Sequence, residues 1–219
     1  MDTPYQSRSY PRPLKAIAHF ISFVFHPLFI PIYAAWYIIF VHPVFFVGIT
    51  RGEKYWILLR IFINMVFFQG LAVLLLKAVG FIDTIFLKTQ RDRIIPYITA
   101  GIFYFWTYLV FKNQPSIPSI LTAFVFGAFT ASYVALIANI YLKVSMHAIG
   151  MGALLGLLFI VLKSTNSTIG IPGPLMVAFV ISGLVCTSRL LISDHTTKEI
   201  YVGWLIGIVS LVVAALWIV

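Results

Sequence analysis

Charged side chains are scarce in this sequence: they make up 10% of its 219 residues, and only six of them are acidic. Hydrophobic residues make up 61%, and the mean hydropathy is +1.02. A soluble domain of this size has no means of burying so much apolar surface, which excludes the soluble globular classes. The only cysteine, Cys186, excludes an intramolecular disulfide and a cysteine-based metal site, and we expect it to be a small buried hydrophobe.

The net charge of +9 has an ordinary explanation in such a chain. Lysines and arginines flank membrane spans and meet anionic headgroups, so the charge predicts contact with the lipid bilayer. No nucleic-acid partner is expected.

Long apolar segments follow one another along the chain. Since nothing in them alternates like barrel strands, helices are the only reasonable prediction. The sequence predicts an all-α polytopic integral membrane bundle of six to seven transmembrane helices, with a polar N-terminal segment (1–13) and one transmembrane domain (14–219). The first segment is long for one span and holds several prolines, so it either kinks or breaks into a short interfacial helix plus a span. The apolar segments are 14–47, 55–81, 97–112, 117–142, 148–163, 173–192 and 200–219.

Three polar clusters interrupt this pattern, at 88–96, 143–147 and 188–199. Two predicted helices separate the first cluster from the second, and two more separate the second from the third. An even number of crossings returns the chain to the same face of the membrane. We therefore expect all three clusters to converge at one face.

The third cluster carries the clearest chemistry. It reads S-R-x5-H-x3-E and combines Arg189, His195 and Glu199. Ionisable groups are costly next to lipid and by default mark a functional site. A carboxylate four residues after a histidine on a helix sits one helical turn away and can hold the imidazole in one tautomer. The pattern predicts a nucleophilic or acid–base histidine that works on an anion.

Together the clusters would form a cradle for phosphate. Arginine binds phosphate oxygens with two hydrogen bonds, and lysine adds a point charge. Two histidines permit one to attack phosphorus and the other to protonate the departing oxygen. No metal or other cofactor is expected, since two histidines and one glutamate among cations make a poor ligand set. The combined residues are Lys88, Arg91, Arg93, Ser145, His147, Arg189, His195 and Glu199.

These clusters resemble the three signature motifs of the type 2 phosphatidic acid phosphatase superfamily, which read K-x6-R-P, P-S-G-H and S-R-x5-H-x3-D. The third motif keeps its spacing, with Glu199 for aspartate. In the second, Val144 and Met146 replace proline and glycine. In the first, Ile95 holds the arginine position, and Arg93 lies two residues earlier. The motifs span residues 88–199, and the first two helices have no counterpart in the resemblance.

The resemblance implies a role for each residue. His195 would be the nucleophile that forms a phosphohistidine, Glu199 would orient it, and His147 would be the general acid for the leaving group. The remaining residues would hold the phosphoryl oxygens, with Arg91 as the substitute if Arg93 does not reach the phosphate. These phosphate-binding residues are Lys88, Arg93, Ser145 and Arg189.

Other polar residues receive simpler interpretations. Asp92 is expected to pair locally, Asp194 to cap the last helix, and Lys143 and Lys198 to anchor at the interface. The histidines of the first apolar region are expected to bond to a neighbour or lie near the interface, although His26 could still face the substrate entrance. The three glycines after the second cluster predict close helix packing. The histidines are His19, His26 and His42, and the glycines are Gly150, Gly152 and Gly156.

The predicted function is a metal-independent membrane lipid phosphatase. Its substrate would be undecaprenyl diphosphate, phosphatidic acid, phosphatidylglycerol phosphate or a lipid A phosphate. Two alternatives stay open: a lipid phosphotransferase with the same histidine chemistry, and a non-enzymatic lipid-phosphate binder or transporter with a degenerate site. The positive-inside rule favours a cytoplasmic site when every cation is counted and gives no decision without the presumed phosphate ligands. The resemblance favours the outer face of a bacterial inner membrane. The oligomeric state stays open.

Overall fold

The computed structural model describes residues 10–164, 172–192 and 195–219. In these ranges the chain forms nine α-helices and no strand, which confirms the all-α prediction. The helices are α1 (Arg12–Val24), α2 (Ile30–Trp36), α3 (Arg51–Ile61), α4 (Phe68–Ala78), α5 (Ile94–Lys112), α6 (Ser119–Tyr141), α7 (Met146–Ser164), α8 (Pro172–Ile192) and α9 (Thr197–Ile218).

Six helical stretches in the described part of the chain are long and apolar enough to cross a membrane. Helices α3 and α4 form one of them, joined without a break by a π-helical segment, Phe62–Phe67. A 3₁₀ turn, Arg91–Arg93, leads directly into α5. The remaining four spans are α6, α7, α8 and α9. The protein is therefore an integral membrane protein, and of the six to seven helices expected the described residues form six spans.

The first apolar region breaks at its prolines. Helix α1 ends at Val24, and a turn containing His26-Pro27 leads into α2, which continues as a π-helical segment, Tyr37–Val41. A 3₁₀ turn, Pro43–Phe46, follows. Proline has no amide hydrogen to donate and favours non-helical backbone before it, so the break falls where these residues stand. The region breaks, as one of the two alternatives had it, but the expected span is not found in this described stretch: the apolar helical stretch Ile30–Val41 is shorter than a membrane span.

Close backbone contact between α7 and α9 organises the centre of the bundle. A Cβ atom added to Gly152 would collide with the backbone of Trp204, and one added to Gly207 would collide with the backbone of Ile149. Gly156 also lies tightly against α9, with the carbonyl oxygen of Ile208 3.2 Å from an added Cβ. Small residues let helix backbones approach this closely. The predicted close packing of the glycines after the second cluster is confirmed.

The three polar clusters meet at one end of the bundle, as the counting of crossings predicted. Gln90 and Asn139 exchange side chain to carbonyl hydrogen bonds of 2.7 and 2.8 Å, which tie the first cluster to the end of α6. The backbone amide of Ser145 donates to the carbonyl oxygen of Glu199 at 3.3 Å, which ties the second cluster to the third.

Candidate active site

His195 and Glu199 form the centre of the site. The Nδ1 atom of His195 lies 3.1 Å from Oε2 of Glu199. Since a carboxylate accepts, Nδ1 carries the proton, and in the neutral ring Nε2 is left with its lone pair. Only 4% of His195 is exposed. The pair therefore presents a buried, oriented imidazole whose Nε2 has no hydrogen-bond partner among the described residues.

The contact has a different local basis from the one expected. His195 precedes α9 instead of lying on it, and Thr196 is the N-cap residue of that helix. Oε2 of Glu199 accepts from the amide of Thr196 at 2.9 Å, and the hydroxyl of Thr196 accepts from the amide of Glu199 at 3.3 Å. This reciprocal arrangement is a capping box, which requires glutamate or glutamine at that position. It gives a structural reason for glutamate in place of aspartate here.

Burial and neighbouring cations keep His195 neutral. Burial has the largest effect and the charge of Arg93 the next largest, and both lower the pKa of His195. The hydrogen bond and charge of Glu199 act in the opposite direction, and Arg189 lowers the pKa further. The result is a pKa of about 4, against an ordinary value of 6.5. The imidazole is thus unprotonated at neutral pH, as a nucleophile must be.

Of the two arginines of the first cluster, Arg93 is the one that the structure brings near His195. It is 6% exposed, its Nε donates to the carbonyl of Leu87 at 2.9 Å, and one terminal nitrogen donates to the carbonyl of Val144 at 2.7 Å. The other terminal nitrogen has no partner among the described residues and is left to bind an anion. Two carbonyls thus orient the guanidinium between the first and second clusters.

The other residues of the first cluster point elsewhere. Arg91 and Ile95 are exposed, and so is Lys88, which follows the left-handed Leu87 (φ 49°). An arginine at position 95, where the superfamily motif places one, would lie on this outer surface. The spacing K-x4-R therefore suits the site better than the motif's own spacing. No hydrogen bond or ion pair joins Lys88 to His195 in the described part of the chain.

Asp92 is a local partner, as expected, and it bonds to the backbone. Its carboxylate accepts from the amide of Thr89 at 3.0 Å, and the hydroxyl of Thr89 accepts from the amide of Asp92 at 3.2 Å. These bonds stabilise the turn that positions Arg93.

Ser145 stands immediately before α7 and is completely buried. Its hydroxyl oxygen accepts a long bond of 3.5 Å from the amide of Ala148, which leaves the hydroxyl proton free to donate. A Cβ added to Gly203 would lie 2.8 Å from the carbonyl oxygen of Ser145, so this glycine lets α9 approach the serine closely. Ser145 therefore lies between the helix N-terminus and the Glu199 backbone.

His147 lies on the first turn of α7 and contacts a part of the chain that the motifs do not include. Its Nε2 lies 3.0 Å from the carbonyl oxygen of Ser22, at the end of α1. Its ring also packs edge to face on His26, with centroids 5.2 Å apart. Because a carbonyl only accepts, Nε2 carries a proton, and Nδ1 is the nitrogen that can give or take one.

The third cluster contributes Arg189 from the last turn of α8. Its charge lowers the pKa of His195 and of His26, so it stands near both rings. Ser188, the first residue of the same motif, donates its hydroxyl to the carbonyl of Leu184 and so serves its own helix. The expected cap, Asp194, lies outside the described residues.

Sequence reasoning missed Ser22 and Tyr97 and left His26 undecided. Tyr97 stands one turn after Arg93, and its phenolic hydroxyl is buried without a hydrogen-bond partner among the described residues. Nothing in the spacing of the motifs points to these positions, because α1 and α5 reach the site through tertiary packing. The proline after His26 was the only local signal of a turn there.

The other predicted residues lie apart from this group. His19 is exposed on α1, and His42 packs between Tyr37 and Phe45 at the opposite end of the bundle. Cys186 is half-buried on α8. Lys143 is also half-buried, and Lys198 is exposed. In the described part of the chain, no three histidine, cysteine, aspartate or glutamate side chains come together to share a metal ion.

Comparison with known proteins gives no further information. Searches of protein-family models, curated proteins and solved structures found no match to this chain.

Proposed function

We propose that the protein is a membrane phosphatase that removes phosphate from a lipid phosphate or diphosphate through a phosphohistidine on His195. One observation carries the proposal: a buried, neutral imidazole held by Glu199 stands beside two arginines. A neutral nucleophile and fixed cations around it are what in-line attack on phosphorus requires. The resemblance of the motifs to the lipid phosphatases points to the same chemistry.

The first step forms a phosphorus–nitrogen bond. Nε2 of His195 attacks phosphorus, and the bond from phosphorus to the lipid oxygen breaks. In the ring, the positive charge that develops is stabilised by Glu199 through the Nδ1 proton. Arg93 and Arg189 would neutralise the charge on the phosphoryl oxygens, and the hydroxyl of Ser145 would donate a hydrogen bond to one of them.

His147 would act as the general acid in the first step and as the general base in the second. When the substrate binds, its negative charge favours the uptake of a second proton from solvent by the ring, and that proton goes to Nδ1, because Nε2–H is held by the carbonyl of Ser22. The proton on Nδ1 then passes to the departing lipid oxygen. In the second step Nδ1 takes a proton from water, whose oxygen attacks phosphorus, and the phosphorus–nitrogen bond breaks. Inorganic phosphate leaves, and His195 is neutral again.

The substrate class follows from the surroundings of the site. The site lies at the end of six apolar spans, the depth at which lipid headgroups lie, so a substrate can arrive sideways from the bilayer. Undecaprenyl diphosphate, phosphatidic acid, phosphatidylglycerol phosphate and lipid A phosphates all carry their phosphate at this depth and are the candidate substrates. Among them we favour the polyprenyl diphosphate, and we place the site at the outer face of a bacterial inner membrane, as the resemblance implies.

Phosphate release from a panel of these lipids tests the proposal. Purified wild-type protein is expected to release inorganic phosphate from at least one lipid in the presence of EDTA. The His195→Ala variant should release none, whereas His19→Ala, which changes an exposed histidine on α1, should match the wild type.

The alternatives give different results. No release from any lipid by folded wild-type protein would contradict the phosphatase and favour a transferase or a lipid-phosphate binder. Addition of a lipid acceptor would then restore turnover only for a transferase.

A further inference from the structure

Helices α1 and α2 and the turn between them bring a third histidine to the site. His26 lies in this turn, and its ring packs edge to face on His147 with centroids 5.2 Å apart. The same segment supplies the Ser22 carbonyl that holds His147. The motifs at 88–199 leave this part of the chain without a role.

The turn is held firmly in place. Ile30 of α2 forms a buried cluster with Met151 of α7 and Val185 of α8. A Cβ added to Gly150 would lie 3.5 Å from Cα of Pro27, so α7 and the turn are in close contact. The position of His26 is therefore fixed by packing on two spans.

Backbone partners determine the proton positions on both rings. Nδ1 of His26 lies 3.2 Å from the amide nitrogen of Leu28, which can only donate, so Nδ1 accepts and Nε2 of the neutral ring carries the hydrogen. For His147 the Ser22 carbonyl fixes the hydrogen on Nε2. His26 thus offers an N–H donor beside a ring that offers the lone pair of Nδ1.

The proton that would charge His26 has no favourable position. Protonation at Nδ1 would break the bond from Leu28, and the ring faces the charge of Arg189 on α8 and the ring of His147 on α7. Although part of His26 is exposed, burial and then Arg189 lower its pKa to about 4. His26 is a neutral imidazole at physiological pH.

We propose that His26 is a substrate-binding residue whose neutral Nε2–H donates a hydrogen bond to a phosphate oxygen at the site. The proposal rests on the proposed function for the identity of the ligand, a phosphate group. It makes the α1–α2 turn a wall of the site, next to the general acid. A neutral donor binds the anion without competing with His147 for a proton.

Two amide substitutions distinguish the role of Nδ1 of His26 from the role of its Nε2. Asparagine at position 26 places its amide near the position of Nδ1, so His26→Asn keeps the bond to Leu28 and loses the distal donor. His26→Gln places an amide near Nε2 and keeps that donor. His26→Ala loses both, and His19→Asn, on the helix α1 that leads into this turn, is the matched control. Thermal unfolding in detergent identifies any variant that does not fold.

The measurement is binding of inorganic phosphate by ³¹P NMR titration, alongside KM for the lipid that the wild type turns over. A hydrogen bond to a charged group contributes about 1.5–3 kcal/mol, which is about tenfold to a hundredfold in binding. We expect that loss in His26→Asn and His26→Ala, values near wild type in His26→Gln, and no change in His19→Asn.

Unchanged phosphate binding in folded His26→Asn would overturn the proposal, as would equal losses in His26→Gln and His26→Ala. The protein could bind phosphate in a way that depends on His26 and yet release phosphate from no lipid. That result would support the binding role of His26 and contradict only the proposed phosphatase activity. A wild-type protein that does not bind phosphate would contradict both.

Discussion

At the scale of single residues, one oxygen of Glu199 has two partners. Oε2 accepts from His195 Nδ1 at 3.1 Å and from the amide of Thr196 at 2.9 Å. The orientation of the nucleophile and the start of α9 therefore depend on the same side chain.

We expect Glu199→Asp to lower kcat/KM by about tenfold, because the shorter side chain cannot hold both partners at these distances. Steady-state kinetics of phosphate release would measure this. Thr196→Ala is the matched control: it removes one half of the capping box and should cost about 1 kcal/mol of stability with little effect on kcat/KM. Equal kinetics of Glu199→Asp and wild type would show that Glu199 does not orient His195.

Titration of His195 gives a second prediction. Its pKa of about 4 means that the reactive neutral form is lost as the pH falls through about 4, and that kcat/KM does not depend on this group at neutral pH. Arg93→Gln removes a nearby positive charge and should raise the pKa of His195. Arg91→Gln, at an exposed position, should leave it unchanged.

Histidine-selective ¹⁵N NMR measures these titrations whether or not the variants turn over substrate. If Arg93→Gln and Arg91→Gln left the His195 titration equally unaffected, Arg93 would not be the arginine at the nucleophile.

Sequence reasoning at this scale succeeded where partners are close in the chain. The pairing of His195 with Glu199 follows from their spacing, although a cap and not a helical turn brings them together. Sequence spacing alone left Arg93 and Arg91 as alternatives, because the choice depends on a 3₁₀ turn and the carbonyls of Leu87 and Val144.

At the scale of helices, the contact of α7 with α9 holds the site together. Gly207 lies against the backbone of α7, with the carbonyl carbon of Gly152 2.9 Å from a Cβ added to Gly207. Ser145 and His147 begin one of these helices and Glu199 begins the other. Separation of the helices would therefore separate the hydroxyl from the nucleophile.

Gly207→Ala is expected to destabilise the protein by about 1–3 kcal/mol through overpacking, and to lower activity. Gly183→Ala on α8 is the control, since no atom lies within 4 Å of an added Cβ there. Alanine at that position should be neutral or stabilising by up to about 1 kcal/mol. Thermal unfolding in detergent compares them, and equal midpoints for the two variants would contradict the tight α7–α9 contact.

The helices themselves could largely be predicted from the sequence, since lipid requires apolar segments that satisfy their own hydrogen bonds. The glycines of α7 indicated close packing, but their partners on α9 could not be identified without the fold. The break in the first apolar region stayed one of two alternatives, because prolines permit both a kink and a break.

At the scale of the whole molecule, counting crossings was enough to bring the three clusters together. Their convergence depends on the even number of spans between them, and the hydrogen bonds between Ser145 and Glu199 and between Arg93 and Val144 confirm it. The contribution of the α1–α2 turn could not be predicted, because it depends on how that segment packs on α7 and α8.

The central claim is that His195 carries the phosphoryl group between two steps. The most direct test is to mix wild-type protein with a lipid diphosphate, quench in base, where phosphohistidine survives, and locate the added phosphate by mass spectrometry. We expect one phosphoryl group on His195, and none anywhere in the His195→Ala variant. Rapid phosphate release with no phosphoryl group on His195, or continued release by His195→Ala, would contradict the account.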